Sequence, residues 1–521
     1  APEWCGRPAV AGRTRGGLLM ARAAVRSASV PPPVGGWNAR DALAEMPASD
    51  AVILENWFPG TDSVKLRRGY ASHATGLGGA VESLVPYVDT NGNASLFAAA
   101  GGAIYDVTNP GSVGAAVVSG MTNNRWQCVQ SSNIAATANL IMCNGQDTPR
   151  LYDGSTWSTA SITGPSSPPI WCNVHQRRLW LGEQNSLNAY YLGFDAIAGT
   201  ATPFYLGGIA RMGGYIMAMG TWTRDGGDGA DDVAVFLTSE GEAIVYQGTD
   251  PASNWSLIGV FRVGRPIGRR CMVKMGADLI MITEDGFVAA TTLLALDRSQ
   301  TEAVAISAKI NDAVNQAVRL YGGNFGWEPF VYPKGTQMIF NVPKSGTEAD
   351  QYVFNTITRA ACKFTNLPAL CWGLRGDTAF FGDGAGTVWQ FDVGDTDNGA
   401  AVIGDAVQAF SAFRSPGQDK AFKRVEVVFK SVADPEAAVE INTDFEVTTF
   451  TAVTTQQATG AALWDDTQWD VGLWGDEQVW KGWRSVRGHG RYGSLRLRSS
   501  TTVGRPEWLV TNWMFTTGGT L

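Results

Sequence analysis

The residues best suited to hold a metal ion or to act as nucleophiles are seven cysteines and three histidines. Zinc sites need ligands at short, regular spacings such as C-x-x-C, and no such pair occurs. The cysteines are odd in number and irregularly spaced, so we expect no metal site and free, mostly buried thiols, as in a protein assembled in a reducing cytoplasm. The residues concerned are Cys5, Cys128, Cys143, Cys172, Cys271, Cys362, Cys371, His73, His175 and His489.

Short motifs that carry catalytic chemistry are absent from the sequence. It contains no G-x-S-x-G nucleophile elbow, no phosphate-binding G-x-x-x-x-G-K-[ST] loop and no metal-binding H-E-x-x-H. His175, which stands beside Arg177 at the entrance to a strand, fits a hydrogen-bonded structural histidine better than a general base. We therefore predict that the protein is not an enzyme and that it uses no cofactor.

Paired carboxylates would be the signature of a glycosidase, because such enzymes need an acid and a second carboxylate on one face. Here Glu240, Glu284 and Asp285 stand in turns, and turn chemistry accounts for them. The S-x-D-x-G-x-T-W box of sialidase-like propellers is also absent. Its nearest matches, at 153–157 and 383–389, have the form of hairpin turns.

A Gly-rich acidic segment at 221–232 is the densest cluster of carboxylates. It does not match a calcium-binding loop, because the bidentate glutamate is missing and the ligand spacing differs. The simpler interpretation is a solvated loop, and the alternative is a gate at a channel. The candidate gate residues are Asp225, Asp228, Asp231 and Asp232.

Composition indicates which elements must position these residues. The 521-residue chain is 45% hydrophobic and 17% charged, with 62 Gly and 19 Trp. Few charges with many Gly and Trp favour short strands, tight turns and aromatic cross-strand pairs, and the length favours more than one domain. The net charge of −8 argues against a protein that grips nucleic acid by its phosphates.

A degenerate hairpin repeat predicts a β-propeller. An apolar strand, a Gly or polar turn and a strand with an aromatic residue recur every 40 to 60 residues or so, which is the period of a four-stranded blade. Six or seven such units predict six or seven blades arranged radially, which protects strand edges. The hairpins lie at 96–106, 140–154, 179–192, 235–248, 279–288, 338–355 and 379–392.

Three regions are predicted along the chain. Residues 1–50 form an extended arm that carries several arginines, either unattached or ordered against a neighbouring subunit. Residues 51–402 form the propeller-like domain, with a helix over 306–320 that packs as an insertion near 300–322. Residues 403–521 form a C-terminal Trp-rich, β-sandwich-like domain.

Five tryptophans close together in the C-terminal region have two interpretations. They either pin a large loop to the domain core or form a protein–protein surface, since Trp dominates interface hot spots. The sequence leaves this choice open for each of them. They are Trp464, Trp469, Trp474, Trp480 and Trp483.

Several stretches resemble the tail nozzle family (tail tubular protein B, or hub) of short-tailed bacteriophages. At 361–362 the sequence has Ala-Cys, where that family more usually has an aromatic residue before the cysteine. The similar stretches lie at 35–41, 46–47, 50–51, 55–59, 66–70, 306–310, 352–355, 362–365, 381–384, 388–390, 397–399, 413–417, 423–424 and in the Trp-rich and Gly518-Gly519 segments near the end.

The resemblance implies a structural virion protein of the phage tail, assembled in the host cytoplasm. Six copies would form a tube below the head-to-tail adaptor protein, extend the channel for genomic double-stranded DNA, retain the packaged DNA and support tail fibres or spikes. The tube would meet the host outer surface at the tail tip. An acidic channel wall would repel phosphates and keep the DNA mobile.

Two other functions remain open on sequence grounds. The first is a carbohydrate-binding or glycan-hydrolysing β-propeller, which would carry convergent carboxylates and arginines in a pocket on the propeller axis. The second is a different phage part, such as a hub or baseplate propeller for fibre attachment.

Overall fold

The computed structural model describes residues 25–225, 230–293, 298, 303–435, 437–449 and 478–518. Regular structure in these ranges is almost entirely β-strand. The helical segments are a turn of α-helix at Ala290–Leu293, a 3-10 turn at Ala308–Ile310 and an α-helix at Asn311–Tyr321. The prediction of a mainly β protein with a short helical insertion is confirmed.

Five separate antiparallel sheets, here called blades 1 to 5, follow one another along the chain. Each is a meander of consecutive strands, and blade 5 has three strands instead of four. The strands of blades 1 and 2 are Val81–Val88, Ala94–Ala100, Ala103–Asp106 and Val118–Ser119, then Gln127–Ser132, Ala138–Cys143, Arg150–Tyr152 and Trp157–Thr159. Those of blades 3 to 5 are Pro169–His175, Arg178–Glu183, Asn188–Phe194 and Thr202–Tyr205, then Ile216–Asp225, Ala230–Thr238, Glu242–Asp250 and Asn254–Arg262, then Met272–Met275, Asp278–Thr283 and Gly286–Ala289.

Two further blades belong to one large 15-stranded sheet. Blade 6 consists of Glu328–Tyr332, Gln337–Pro343, Ala349–Asn355 and Ala361–Phe364. Blade 7 consists of Cys371–Arg375, Thr378–Gly382 and Val388–Phe391, and its fourth strand is Tyr70–Thr75 from the other end of the domain. The last blade is thus completed by a strand that precedes the first.

The blades form a closed ring. The first strand of each blade contacts that of the next, and Cys371–Arg375 of blade 7 lies against Val81–Val88 of blade 1. Two glycines allow this last approach: a Cβ on Gly382 would lie 2.4 Å from Val81 Cγ1, and one on Gly373 would lie 2.8 Å from Leu84 Cβ. The predicted propeller of six or seven blades therefore has seven.

Every hairpin recognised in the sequence is the second-to-third-strand hairpin of one blade. The second strands are buried almost throughout, as in Ala138–Cys143 and Gln337–Pro343. A strand covered on both faces is a continuous apolar run, which makes it the most visible part of a blade in the sequence.

The predicted helix starts later than expected. Residues 308–310 form the 3-10 turn, and the α-helix runs over Asn311–Tyr321. Ile310, Val314 and Ala317 are buried against blades 5 and 6, so the apolar face and the placement between blades are confirmed. Residues 308–310 form a 3-10 turn and not an α-helix, because the Ile310 amide donates to the carbonyl of Ser307, three residues earlier.

The second domain, here called the sandwich, has two sheets that face each other across an aromatic core. Alternation in Lys420–Ser431 buries Val425, Val427 and Phe429, and a bulge brings Phe422 to the same side. The first sheet contains Lys420–Ser431, Glu507–Thr517, Val25–Val30, Trp57–Pro59, Val64–Leu66, Gln478–Trp480 and Trp483–Gly490. The second contains Asp50–Glu55, Ala400–Gln408, Gly493–Thr501, Ala438–Thr443 and Gly36–Trp37. The remaining strands are short: Gly111–Ser112 pairs with Tyr70–Thr75, Ile162–Thr163 pairs with Gly199–Thr200, and Thr396–Asp397 pairs with Ala400–Gln408.

The predicted domain boundaries at 50/51 and 402/403 differ from the structure. Val25–Val30 is not a free arm but an antiparallel strand paired with 511–516, and Asp50–Glu55 pairs with Ala400–Gln408. The sandwich therefore combines residues 25–66 with the C-terminal region, and the propeller starts at Tyr70–Thr75. Pairing between the two ends of the described chain leaves no local pattern in the sequence, so the N-terminal strands could not be assigned to it.

Candidate functional site

The face of the propeller where one blade leads into the next, here called the upper face, carries a pocket beside the ring axis. Its volume is about 290 Å³. The walls come from connections between blades and from hairpin turns, because these are the segments that a propeller presents on this side. The main lining residues are Asn123, Arg125, Gln127, Asn144, Gln146, Ile170, Gln184, Arg269, Arg270, Asn324, Phe325 and Trp327.

Arg270 crosses the axis at the floor of this pocket and joins four blades. Its Nη2 donates to the carbonyls of Glu82 and Trp126, both at 2.9 Å, and to Ser83 Oγ at 2.5 Å. Its Nη1 lies 3.4 Å from Glu328 Oε2. Because Arg270 precedes blade 5, these contacts tie it to blades 1, 2 and 6.

Glu328 is the carboxylate that pairs with Arg270. Burial raises its pKa, and the nearby Arg270 guanidinium opposes that shift. Its Oε2 also accepts the amide of Trp372 at 3.3 Å, so the group is held between two donors. This carboxylate serves a structural ion pair.

Arg269 differs from its neighbour in having no anionic partner among the described residues. Its guanidinium lies 5.0 Å from the centre of the Tyr215 ring, and its Nη1 is buried without a hydrogen bond. Burial lowers the pKa of Arg269, yet an arginine remains charged in proteins. The site thus holds a half-buried positive charge that the described part of the protein does not neutralise.

A second cavity lies along the axis below Arg270, with a volume of about 610 Å³. It is lined largely by apolar side chains of the first strands of the blades, including Met219, Met272, Phe330 and Trp372. That volume is in the range of small-molecule sites. The axis is therefore not a channel that a DNA duplex could pass.

Among the residues that line the upper-face pocket, none is Asp or Glu. A glycosidase needs two carboxylates in reach of one bond, and Glu328 below the pocket is already paired with Arg270. The arrangement can bind a polar ligand by Arg269 and several amides, but it offers no acid–base pair.

The aspartates of the candidate gate loop fall on one hairpin of blade 4. Asp225 ends its first strand, and Asp231 lies opposite Arg224 in its second, at the end of these two strands that is away from the pocket. Asp232 Oδ1 accepts Thr223 Oγ1 at 2.6 Å. Asp228 lies outside the described residues.

The two described tryptophans of the C-terminal cluster, Trp480 and Trp483, differ in their surroundings. Trp480 packs on the sandwich core, and its Nε1 donates to the Ser431 carbonyl at 3.0 Å. Trp483 is 40% exposed, as is the neighbouring Val479 at 58%. Trp464, Trp469 and Trp474 lie outside the described residues.

His175 is buried, as expected for a structural histidine. Its Nδ1 lies 3.1 Å from Thr221 Oγ1, and its ring packs edge-on against Trp255. Burial lowers its pKa to about 4. The described cysteines are likewise free, and burial raises the pKa of Cys128 and Cys271 to about 12.

The buried His175 is expected to make stability fall in acid. Between pH 6.5 and pH 4 the unfolded chain binds a proton that the folded chain does not, so the free energy of unfolding drops by about 2–3 kcal/mol as the pH falls through this window. Urea unfolding at pH 7 and pH 4.5 should show a smaller drop for His175→Gln than for the parent. His489→Gln, at an exposed position, is the control. Equal drops in the parent and His175→Gln would contradict this role.

Three important residues were not identified from the sequence. Arg67, Arg269 and Arg270 carry the buried ion pairs and the unneutralised charge. Arg269 and Arg270 stand in a segment without a recognisable motif, and Arg67 lies in a stretch noted only for its resemblance to the phage family. All three lie near apolar residues in the sequence. An arginine in such a position is rarely buried unless it is paired, and this was the signal that could have identified them.

Among the described residues, no group of three or more His, Cys, Asp or Glu could hold a metal ion, and no helix is long and apolar enough to cross a bilayer.

No known protein family and no curated protein matches this chain. Solved structures with some similarity include the computationally designed Ika8 protein, which is 10% identical with a TM-score of 0.35 and covers 62% of this chain and 100% of its own. BBS1N, in a complex with ARL6DN soaked with lead, is 11% identical with a TM-score of 0.43 and covers 64% and 99%. At such low scores the propeller assignment rests on the strand pairing within the chain itself.

Proposed function

We propose that this protein is a structural subunit of the tail of a short-tailed bacteriophage, six copies of which form the nozzle. In this proposal the ring extends the DNA channel below the adaptor, retains the packaged genome, guides its ejection and supports tail fibres. The protein acts as a scaffold and carries out no chemical step.

The proposal rests on the place in the structure where the stretches that resemble the tail nozzle family meet. Residues from stretches far apart in sequence converge at the junction of the sandwich and the propeller. Arg67 donates two hydrogen bonds of 2.7 Å to Asp397 and one of 2.8 Å to Asn56. Asn56 in turn donates to Thr365 Oγ1 at 2.9 Å. Four of the similar stretches therefore contribute to the contacts that fix one domain on the other.

The inserted helical segment takes part in the same junction. Lys309 Nζ lies 3.0 Å from Asp50 Oδ2 and donates to the carbonyl of Gly35. Trp37 packs edge-on against Tyr352 of blade 6 at 5.3 Å. Buried polar networks of this kind fix one geometry, which is what a subunit of a closed ring requires.

The filled axis of the propeller supports a DNA channel that runs between subunits and not through a single subunit. Arg270 crosses the propeller axis, and the cavity below it holds only about 610 Å³. A tube for DNA would then be enclosed by several copies through interfaces that close on themselves. Exposed apolar residues such as Val479 and Trp483 on the sandwich are candidates for those interfaces.

The assembly state tests the proposal directly. The purified protein should form particles near 330 kDa, six times the 55.6 kDa chain, in mass photometry, and rings in electron micrographs. A protein that stays monomeric at high concentration would contradict the nozzle. A map of the intact virion would distinguish a nozzle below the adaptor from a fibre hub or baseplate propeller.

Charge reversal in the blade 4 hairpin tests whether its loop lines the channel. Replacing Asp225, Asp228, Asp231 and Asp232 with lysine should slow genome ejection, because lysines would bind the passing phosphates. Ejection triggered in vitro and followed by DNA dye fluorescence measures the rate. Four lysines at the exposed Glu45, Asp106, Asp312 and Asp377, which change the net charge by the same amount, are the matched control. Unchanged ejection kinetics in the blade 4 variant would place the gate elsewhere.

A further inference from the structure

We propose that the upper-face pocket is a binding site for a single acidic sugar ring, a saccharide unit that carries a carboxylate. This inference goes beyond the nozzle and does not depend on it, because the pocket is complete within one subunit. It combines three features of the pocket: an unneutralised cation, several amides that are free to bind, and an apolar wall without carboxylates.

Arg269 supplies the partner for the carboxylate. It lines the pocket and forms no ion pair with any described residue. Its Nη1 is buried, so a carboxylate in the pocket would meet the guanidinium through its other nitrogens. A buried charge without a counter-ion is costly, so an anion that reaches it gains both the ion pair and the hydrogen bonds of the planar guanidinium. The adjacent Arg270 cannot play this part, because its donors already hold Glu82, Ser83, Trp126 and Glu328.

Three glutamines on neighbouring loops supply groups for sugar hydroxyls. Gln127 makes no side-chain hydrogen bond within the described residues, and Gln146 and Gln184 make only a weak mutual contact of 3.4 Å. An amide offers both donors and an acceptor, which suits a hydroxyl that does both. Neighbouring Asn144, by contrast, is held by Asp147 at 2.6 Å and is a fixed part of the wall.

The apolar wall is formed by Ile170 and Phe325. The Phe325 ring is held by two guanidinium groups, at 4.4 Å from Arg125 and 5.3 Å from Arg270, so its position is fixed before any ligand arrives. A volume of about 290 Å³ is at the lower limit of small-molecule pockets and fits one sugar ring better than an oligosaccharide.

Specificity for an acidic ring follows from what the pocket contains. A neutral sugar would leave Arg269 without a partner, and a small anion would leave the glutamines unused. A ring that carries both a carboxylate and hydroxyls satisfies both sets of groups. We therefore expect the order of affinity to be acidic sugar, then neutral sugar or simple anion.

Titration calorimetry and saturation-transfer NMR on the purified full-length protein test this order. The probes are D-glucuronate, D-glucose, acetate and inorganic phosphate at low ionic strength. D-glucuronate should bind at least about tenfold more tightly than each of the other three. Equal affinity for glucose, tighter binding of acetate or phosphate, or no binding of glucuronate at tens of millimolar would overturn the proposal.

Variants then locate the site. Arg269→Gln should weaken glucuronate binding by about tenfold or more, and Arg269→Lys should retain part of it. Gln127→Ala should weaken glucuronate and leave acetate unaffected, which separates recognition of hydroxyls from recognition of charge. Arg262→Gln, at an exposed position of blade 4 outside the pocket, should bind like the parent. Parent-like binding by Arg269→Gln would place the ligand elsewhere and refute the assignment, and Gln127→Ala gives an independent result if Arg269→Gln does not fold.

Discussion

Replacing Arg67 with methionine is expected to lower the free energy of unfolding by about 3–5 kcal/mol, the cost of leaving one partner of a buried ion pair alone. The Arg67 side chain is 1% exposed and that of Asp397 is 5%. All five N–H donors of the guanidinium are used, on Asp397, Asn56, Arg68 and Thr365. Denaturant unfolding followed by tryptophan fluorescence measures the loss.

The effect of the Arg67 substitution should also depend on pH. Burial already raises the pKa of Asp397 against the influence of Arg67, and without the guanidinium the pKa rises further. A carboxyl whose folded pKa exceeds its unfolded value stabilises the protein below the unfolded pKa, and this contribution is lost as the pH rises through the folded pKa. Arg67→Met should thus be less destabilised at pH 5 than at pH 8.

Two further variants distinguish a buried pair from a general loss of charge. Arg40→Met removes an arginine that is 50% exposed and pairs with Asp41, and it should cost no more than about 1 kcal/mol. The double variant Arg67→Met with Asp397→Leu replaces the pair with apolar groups and should recover part of the loss. Equal costs for Arg67→Met and Arg40→Met would show that the junction does not depend on this pair.

Replacing Arg270 with methionine is expected to cost about 3–4 kcal/mol, because the substitution leaves Glu328 without its cation and removes a donor from the carbonyls of Glu82 and Trp126. The Arg270 and Glu328 side chains are 16% and 18% exposed, so solvent screens this pair only in part. Since Arg270 joins blades 1, 2, 5 and 6 across the axis, its loss should loosen the ring as a whole. Hydrogen exchange of the first strands of those blades should rise together.

The Arg270 substitution has a matched control on the same face. Arg265→Met removes a 59% exposed arginine that pairs with Glu240, and it should change stability by at most about 1 kcal/mol. Adding Glu328→Gln to Arg270→Met removes the orphaned charge and should restore part of the loss. Faster exchange confined to blade 5 would contradict the role of Arg270 as a link across the axis.

The blades could be predicted because their central hairpins are local. Val235 and Ile244 of blade 4, for example, belong to strands that pair across a short turn, and their apolar runs are visible in the sequence. The helix was predicted on the same ground, since Ile310, Val314 and Ala317 recur at helical spacing and are buried. The nozzle assignment stays a prediction, because it rests on sequence resemblance.

The outer and closing strands could not be predicted, because their partners are remote. Tyr70–Thr75 pairs with Val388–Phe391, and Val25–Val30 pairs with 511–516. Such a strand has the alternation of any half-buried strand and carries no mark of its partner. The assumption of an arm followed by a propeller failed for this reason.

The sequence by itself determined that this is a β protein of repeated hairpins, with free thiols at the described positions and no recognised catalytic motif. Only the tertiary structure decided that seven blades close into a ring, that both ends of the described chain build one sandwich, and that Arg67 meets Asp397 across 330 residues. It also decided that Arg269 lies in a pocket where none of the described residues supplies a counter-ion. Local periodicity reports how a residue pairs with its near neighbours, whereas charges and loops meet at a site through the closure of the whole ring.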